Sequence, residues 1–298
     1  MGGESTVQFG IGIVQYIQDI LGWAAPFFRV ITELGSELFY ITIILAGYWA
    51  YNKRHTIAAA AALIVSLLTC YWLKVIIANP RPDISYWYDG YGDVNFSTPS
   101  GHAQNSTVFF GWISIKAKRI YLSVISVILI FLIGISRVVL GVHYLEDVIL
   151  GWGVGILLLI ILVYLEPHVT KFLENKSDLL IYGSLFIFGL VATIITTAVF
   201  PPEAIPANDS FGAYGGLLMG LAIGLPIEKR YINFGIRLED KKRLILRVVI
   251  GLAFVLGIMI ILSQILSSEV LWERTLRYLI VVICGIAVWP AIFKRANL

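Results

Sequence analysis

Apolar runs near or above 18 residues recur along this chain, each long enough to cross a hydrocarbon core roughly 30 Å thick. Hydrophobic residues make up 58% of its 298 residues and charged ones 14%, against roughly 25% charged in a soluble globular domain. Lipid is the solvent such a balance suits. We place nine spans, at about 36–52, 56–79, 100–116, 119–140, 143–165, 179–200, 211–227, 244–266 and 273–293. The expected fold class is all-α, a polytopic membrane helical bundle of about nine transmembrane helices. Before the spans, 1–35 reads as an N-terminal extracytoplasmic segment. Its apolar residues are interrupted by Gln15, Gln18, Asp19 and Pro26, a pattern suited to amphipathic helices lying at the interface. No basic n-region precedes the first apolar stretch, so a cleavable signal peptide is not expected. Cys70 and Cys284 lie within apolar runs, as small hydrophobes rather than a disulfide pair or metal ligands.

Charge sidedness orients the spans. With the N-terminus outside, the inside loops hold Lys53 and Arg54, then Lys116, Lys118 and Arg119, then Lys171 and Lys176. The next holds Lys229, Arg230, Arg237, Lys241, Lys242 and Arg243, and the C-terminal tail adds Lys294 and Arg295. This satisfies the positive-inside rule and excludes a nucleic-acid surface, since the net charge is only +3 and the cations are scattered. Lys74, Arg81 and Arg137 break the rule, falling near outward span ends. Cations at membrane depth are costly unless they meet a partner, so such a cluster marks a functional site.

Three segments carry chemistry. Lys74 lies near the end of the second span, before Asn79-Pro80-Arg81-Pro82, where the prolines end the helix. Lys supplies a point charge and Arg a planar fork matched to two phosphate oxygens. In Thr98-Pro99-Ser100-Gly101-His102, Thr98 reads as an N-cap and Pro99 as the first helical residue. The N–H groups of Ser100 and Gly101 would then form an anion cradle at a helix N-terminus. In Ser136-Arg137 through His143 to Asp147, Gly141 allows a turn and His143 starts the next helix. Asp147, four residues on, shares its face, and a carboxylate there fixes the imidazole tautomer. Glu146 points about 100° away, toward solvent or headgroups. Gln104 and Asn105 face either the site or a neighbouring helix. Tyr86, Trp87, Tyr88, Tyr91 and Phe96, between the first two segments, either guide a headgroup or anchor the loop.

Taken together, these segments resemble the type 2 phosphatidic acid phosphatase family, which shares its pattern with vanadium-dependent haloperoxidases: Lys-x6-Arg-Pro, Pro-Ser-Gly-His and Ser-Arg-x5-His-x3-Asp. The nine-span layout is also similar to the glucose-6-phosphatase branch. The resemblance implies a catalytic core at 36–165 and a supporting membrane region at 166–298. It implies His143 as nucleophile, Asp147 as its orienting group and His102 as general acid and base. Lys74, Arg81, Ser100, Gly101, Ser136 and Arg137 would hold the phosphoryl oxygens. No metal or cofactor is expected, His55 and His168 falling on the opposite side, and vanadate should act as an inhibitor.

The function this implies is hydrolysis of a lipid phosphate or diphosphate, such as a phospholipid or polyprenyl substrate, in a cell membrane or endoplasmic reticulum. The C-terminus would be cytoplasmic and the partners the bilayer and, as an option, a second copy in a homodimer. The alternatives are a sugar-phosphate hydrolase, suggested by the span count, and a lipid transporter built on the second half. Against the transporter, spans six to nine carry no central charge. Gly212, Gly215, Gly216, Gly220 and Gly224 instead give the seventh span a small face for close helix packing.

Overall fold

The computed structural model describes residues 10–90, 95–199, 205–236, 240–267 and 270–298, with backbone alone for the described part of 196–212. Tyr91 and Arg237 lie outside the described residues, and the side-chain surroundings of Gly212 are likewise not described. Twelve helices follow in order, with no strand among the described residues: α1 (Ile11–Leu21), α2 (Ala25–Glu33), α3 (Glu37–Ala50), α4 (Lys53–Ile77), α5 (Gly101–Ala117), α6 (Ile120–Val139), α7 (Leu145–Glu174), α8 (Asp178–Val199), α9 (Ile205–Ile227), α10 (Lys241–Ile265), α11 (Leu271–Ile283) and α12 (Trp289–Arg295).

A helix stands at each of the nine expected spans, but the count of spans differs. Among the described residues six helices are long and apolar enough to cross a membrane, or seven if the bent pair Ile11–Glu33 and Glu37–Ala50 forms one span. The physical reason is clearest in α5. Its 17 residues bury Gln104, Asn105, Ser106 and Thr107 rather than presenting them to lipid. Gln104 Nε2 donates to the Ser66 carbonyl at 2.8 Å and Ser66 Oγ donates to Asn105 Oδ1 at 2.7 Å. These two amides therefore serve the α4–α5 contact.

The chain divides into two compact units, one within Met1–Tyr40 and Val65–Val163, the other Ile41–Ile64 with Tyr164–Leu298. The division differs from the linear one expected: 41–64 goes with the C-terminal part, and the described N-terminal residues go with the catalytic segments. The first unit is built on α6. Helices α1, α2 and α5 pack against it, with Val14, Ala103, Val138 and Val148 forming one buried cluster and Phe28, Val139, Leu140 and Val142 another. The N-terminal segment expected to lie at the interface thus packs into the protein: Val14 is fully buried. Glu146, expected to face solvent or headgroups, is part-buried and accepts the Gly10 N–H at 3.2 Å, at the start of α1, where helix polarity favours a carboxylate.

Helix α7 reaches α5 through two glycines one turn apart. A Cβ at Gly151 would stand 2.7 Å from the Ser100 carbonyl oxygen, and one at Gly155 would stand 2.7 Å from Thr107 Cβ. Only hydrogen at both positions lets the two backbones approach this closely.

In the second unit, α9 packs through its small face as expected. A Cβ at Gly220 would meet Val282 Cβ at 2.7 Å, and one at Gly216 would run into the Thr275 carbonyl. The buried Glu228 is held by Lys53 Nζ at 2.7 Å, Tyr48 Oη at 3.3 Å and the Phe234 N–H at 3.1 Å. Arg247 donates to the Trp49 carbonyl at 3.0 Å, so both buried charges have partners, as a low-dielectric surrounding requires.

Gly151→Val forces α7 off α5, an overpacking cost of about 1–3 kcal/mol that lowers the melting temperature in detergent by roughly 5 °C. Gly153→Ala, whose Cβ would meet nothing within 4 Å, leaves it unchanged. Light-scattering or fluorescence melts of the two variants check the contrast.

Candidate active site

The first segment forms where α4 stops. Its helix ends at Ile77, Ala78 takes a left-handed φ of 51°, and Asn79-Pro80 carries the chain away extended. Lys74, still helical, turns its ammonium onto two backbone carbonyls of the following loop, Phe96 O and, at 3.0 Å, Ser97 O. Arg81 grips the same loop from the other side: Nε donates to Asn95 O at 2.9 Å and Nη2 donates to Asn95 Oδ1. Both cations are thus held by neutral carbonyls, which orient them without cancelling their charge.

The second segment starts its helix later than expected. Ser100, not Thr98, is the N-cap of α5, and Pro99 lies outside the helix. The reason is a competing acceptor. Thr98 Oγ1 donates to Asp147 Oδ1, and the Ser100 N–H goes to the Asp147 carbonyl at 3.0 Å. The first amide to bond within the helix is Gln104 N–H, to Ser100 O at 3.0 Å. The free first-turn amides are those of Gly101, His102 and Ala103, shifting the anion cradle one residue along from the Ser100/Gly101 pair expected. Ser100 Oγ and His102 Nε2 are buried without a protein partner, as groups awaiting a polar ligand are.

The third segment turns between α6 and α7. Gly141 has a φ of 71°, and a Cβ there would run into the Tyr86 carbonyl. Gln18 Nε2 bridges Tyr86 O at 2.8 Å and Val139 O at 3.2 Å, while Tyr88 N–H donates to Leu140 O at 3.0 Å. Trp87 and Tyr88 pack on the Val139–Val142 cluster, so these aromatics anchor the loop. His143 belongs to this turn rather than to a helix, since α7 begins at Leu145. It still meets Asp147, whose Oδ2 reaches back to the Tyr144 N–H at 2.9 Å, as in a capping box.

Hydrogen-bond roles fix the state of the His143 imidazole. Arg81 Nη1 lies 3.2 Å from Nε2 and can only donate, so Nε2 presents its lone pair. The ring proton is then on Nδ1, 3.2 Å from Asp147 Oδ2. Ser97 Oγ, 3.2 Å from Nδ1, donates to Asp147 Oδ2 and supports the pair. His143 and Asp147 are almost fully buried. Burial, then the charges of Arg81, Lys74 and Arg137, hold His143 well below the usual histidine range. These contacts suit a neutral ring whose Nε2 lone pair faces the Arg81 guanidinium.

Arg137 is also buried, with Nη1 donating to Thr32 Oγ1 at 2.8 Å. Ser136 is buried too, but its hydroxyl donates to the Ile133 carbonyl at 2.6 Å, the local back-bond of a helical serine. The residues picked from sequence therefore gather in one unit, where Arg81, His143 and Asp147 meet directly. Sequence reasoning missed Ser97, Asn95 and Thr32. Their partners lie 14 to 105 residues away, beyond any local spacing rule.

Comparison with known proteins bears on this site. Residues 55–171 match the PAP2 superfamily and 212–298 match the PAP2 superfamily phosphatase transmembrane extension. The chain is 29% identical over 170 residues to phosphatidylglycerophosphatase B of Bacillus subtilis (strain 168), covering 51% of this chain and 80% of that protein. It is 22% identical to lipid phosphate phosphatase delta of Arabidopsis thaliana and 26% identical to sphingosine-1-phosphate phosphatase 1 of Mus musculus, covering 76% and 78% of this chain. It spans 57% and 58% of the lengths of those two. Among solved structures, the PAP2 type phosphatidylglycerolphosphate phosphatase from Bacillus subtilis matches with a TM-score of 0.44 and 22% identity, over 56% of this chain and 89% of that one.

Two outcomes follow from the geometry. Asp147→Asn replaces an acceptor of four donors by an amide and lowers kcat by about 100-fold or more, read in a turnover assay. If His143 acts through its unprotonated ring, its depressed pKa puts the acid limb of kcat/KM below pH 6.5. A pH–rate profile checks this.

Proposed function

The chain belongs to the PAP2 superfamily, and from that premise we propose that it is a membrane phosphatase that hydrolyses a lipid phosphate or diphosphate monoester through a phosphohistidine on His143. The observation that carries this reading is the pair of contacts on one imidazole: Asp147 on Nδ1 and the Arg81 guanidinium at Nε2. A phosphoryl group entering the cluster draws Arg81 onto its oxygens and uncovers the Nε2 lone pair.

Nε2 attacks phosphorus as the bond to the leaving oxygen breaks, and that oxygen takes a proton from His102 in its imidazolium form, which the negative charge of the bound phosphoryl group favours. Neutral His102 then removes a proton from water, the hydroxide attacks phosphorus, and the P–N bond breaks to return the lone pair to His143. Lys74, Arg81, Arg137 and the Gly101–Ala103 amides offset the charge that builds on the phosphoryl oxygens. Ser100 Oγ, buried and unpartnered, supplies a further hydrogen bond.

The relatives' names supply the substrate class: phosphatidylglycerophosphate, lipid phosphate and sphingosine-1-phosphate are all membrane lipids carrying a phosphate. The sugar-phosphate alternative leaned on a nine-span count, and the helices that pass for spans are fewer. An extracytoplasmic site is supported by the basic loops: with their Lys and Arg residues taken as cytoplasmic, Lys74, Arg81 and Arg137 fall on the other face.

Phosphate release by detergent-purified protein across lipid phosphates, lipid diphosphates and sugar phosphates tests the reading. The expected result is preference for lipids, inhibition by vanadate, and loss of turnover in His143→Ala at unchanged yield. Full activity in a folded His143→Ala protein would overturn it.

A further inference from the structure

We propose that Thr32, outside both matched family segments, is a positioning residue that sets the guanidinium plane of Arg137 for the phosphoryl group. The proposal rests on the reading of Arg137 as a phosphate-holding residue.

Thr32 lies in the last turn of α2 and is fully buried, so its hydroxyl must find a partner or incur a desolvation cost. It accepts from Arg137 Nη1 at 2.8 Å, 105 residues along the chain. A guanidinium carries its donors in one rigid plane, so an acceptor at one corner fixes which way the remaining donors face. The chemical type of the acceptor matters. A carboxylate at this corner would orient Arg137 more strongly but would also compete with phosphate, whereas a hydroxyl orients it without adding a negative charge.

The turn after Thr32 is itself seated on the catalytic residues. Gly35 N–H bonds to Thr32 O at 2.9 Å. A Cβ at Gly35 would stand 2.6 Å from Ile133 Cγ2, one helical turn before Arg137, and 3.0 Å from His102 Cδ2. Helix α2 packs on α6 along the same face, and Phe28, one turn before Thr32, joins the cluster with Val139 and Val142. The position of the Thr32 hydroxyl is therefore determined by packing against the helix that carries Arg137 and against the general acid.

Thr32→Val keeps shape and removes the acceptor; Thr32→Ser keeps it. Expected for Thr32→Val is a fall in kcat/KM of about 10- to 100-fold on a short-chain lipid phosphate, concentrated in kcat, with Thr32→Ser within about threefold of wild type. Thr32→Val should melt a few degrees below Thr32→Ser, since a buried guanidinium loses an acceptor, so both are assayed at a temperature where each is folded. In an Arg137→Gln background Thr32→Val should have no further effect, because the group it positions is gone. Orthovanadate stabilisation, read as a melting shift without turnover, should need a higher vanadate concentration in Thr32→Val than in Thr32→Ser. Wild-type kcat/KM and vanadate response in Thr32→Val overturns the proposal. So does a loss of equal size with and without Arg137, which marks a purely structural role. Failure of the proposed function shows separately, as absent phosphate release from the wild-type protein.

Discussion

A buried carboxylate in a low-dielectric surrounding is unstable unless hydrogen-bond donors converge on it, and Asp147, with no exposed surface, is such a group. Its two oxygens collect Ser97 Oγ, Thr98 Oγ1, the Tyr144 N–H and the His143 ring. Its carbonyl takes the Ser100 N–H. One residue thereby ties the loop before α5, the start of α5 and the turn before α7, and the remaining geometry of the site follows from that knot. Satisfying the charge also displaces the helix start to Gly101, because the hydroxyl that would have capped the helix is already committed.

Around the knot, each of three cations has neutral oxygens among its partners. Lys74 and Arg81 lean on backbone carbonyls and the Asn95 amide, and Arg137 on the Thr32 hydroxyl. Carbonyl and hydroxyl dipoles lower the cost of keeping charge at membrane depth. The positive potential disfavours protonation of His143, so under the proposed mechanism one arrangement would both receive a phosphate and keep the imidazole unprotonated.

Much of this was legible in the sequence, for identifiable reasons. Lys74, Arg81, His102, Arg137, His143 and Asp147 were visible because polar groups in long apolar runs are conspicuous, and because the i,i+4 spacing of His143 and Asp147 is local. The small face of α9 was readable from its glycines and works as read, Gly216 and Gly220 admitting α11. Less legible was the fate of buried polar residues. Glu146 was placed by helical angle alone, yet α1 covers it. Ser136 was assigned to the ligand by its neighbour, yet its hydroxyl finds the Ile133 carbonyl first. The polar residues of 1–35 suggested amphipathic helices at the interface, but polar positions suit a protein neighbour as well as a headgroup, and Gln18 bonds the Tyr86 and Val139 carbonyls.

The sequence by itself determined the solvent, the helical class and the residue types of the site, because hydropathy, span length and motif spacing are properties of short windows. Tertiary structure alone decided which nitrogen of His143 is free, which amides face the ligand and which residues hold the cations. Those depend on donors brought together from positions up to 105 residues apart. Pairing at that range is set by packing, here by Gly151 and Gly155 letting α7 against α5 and by α2 lying on α6, and no local pattern encodes it.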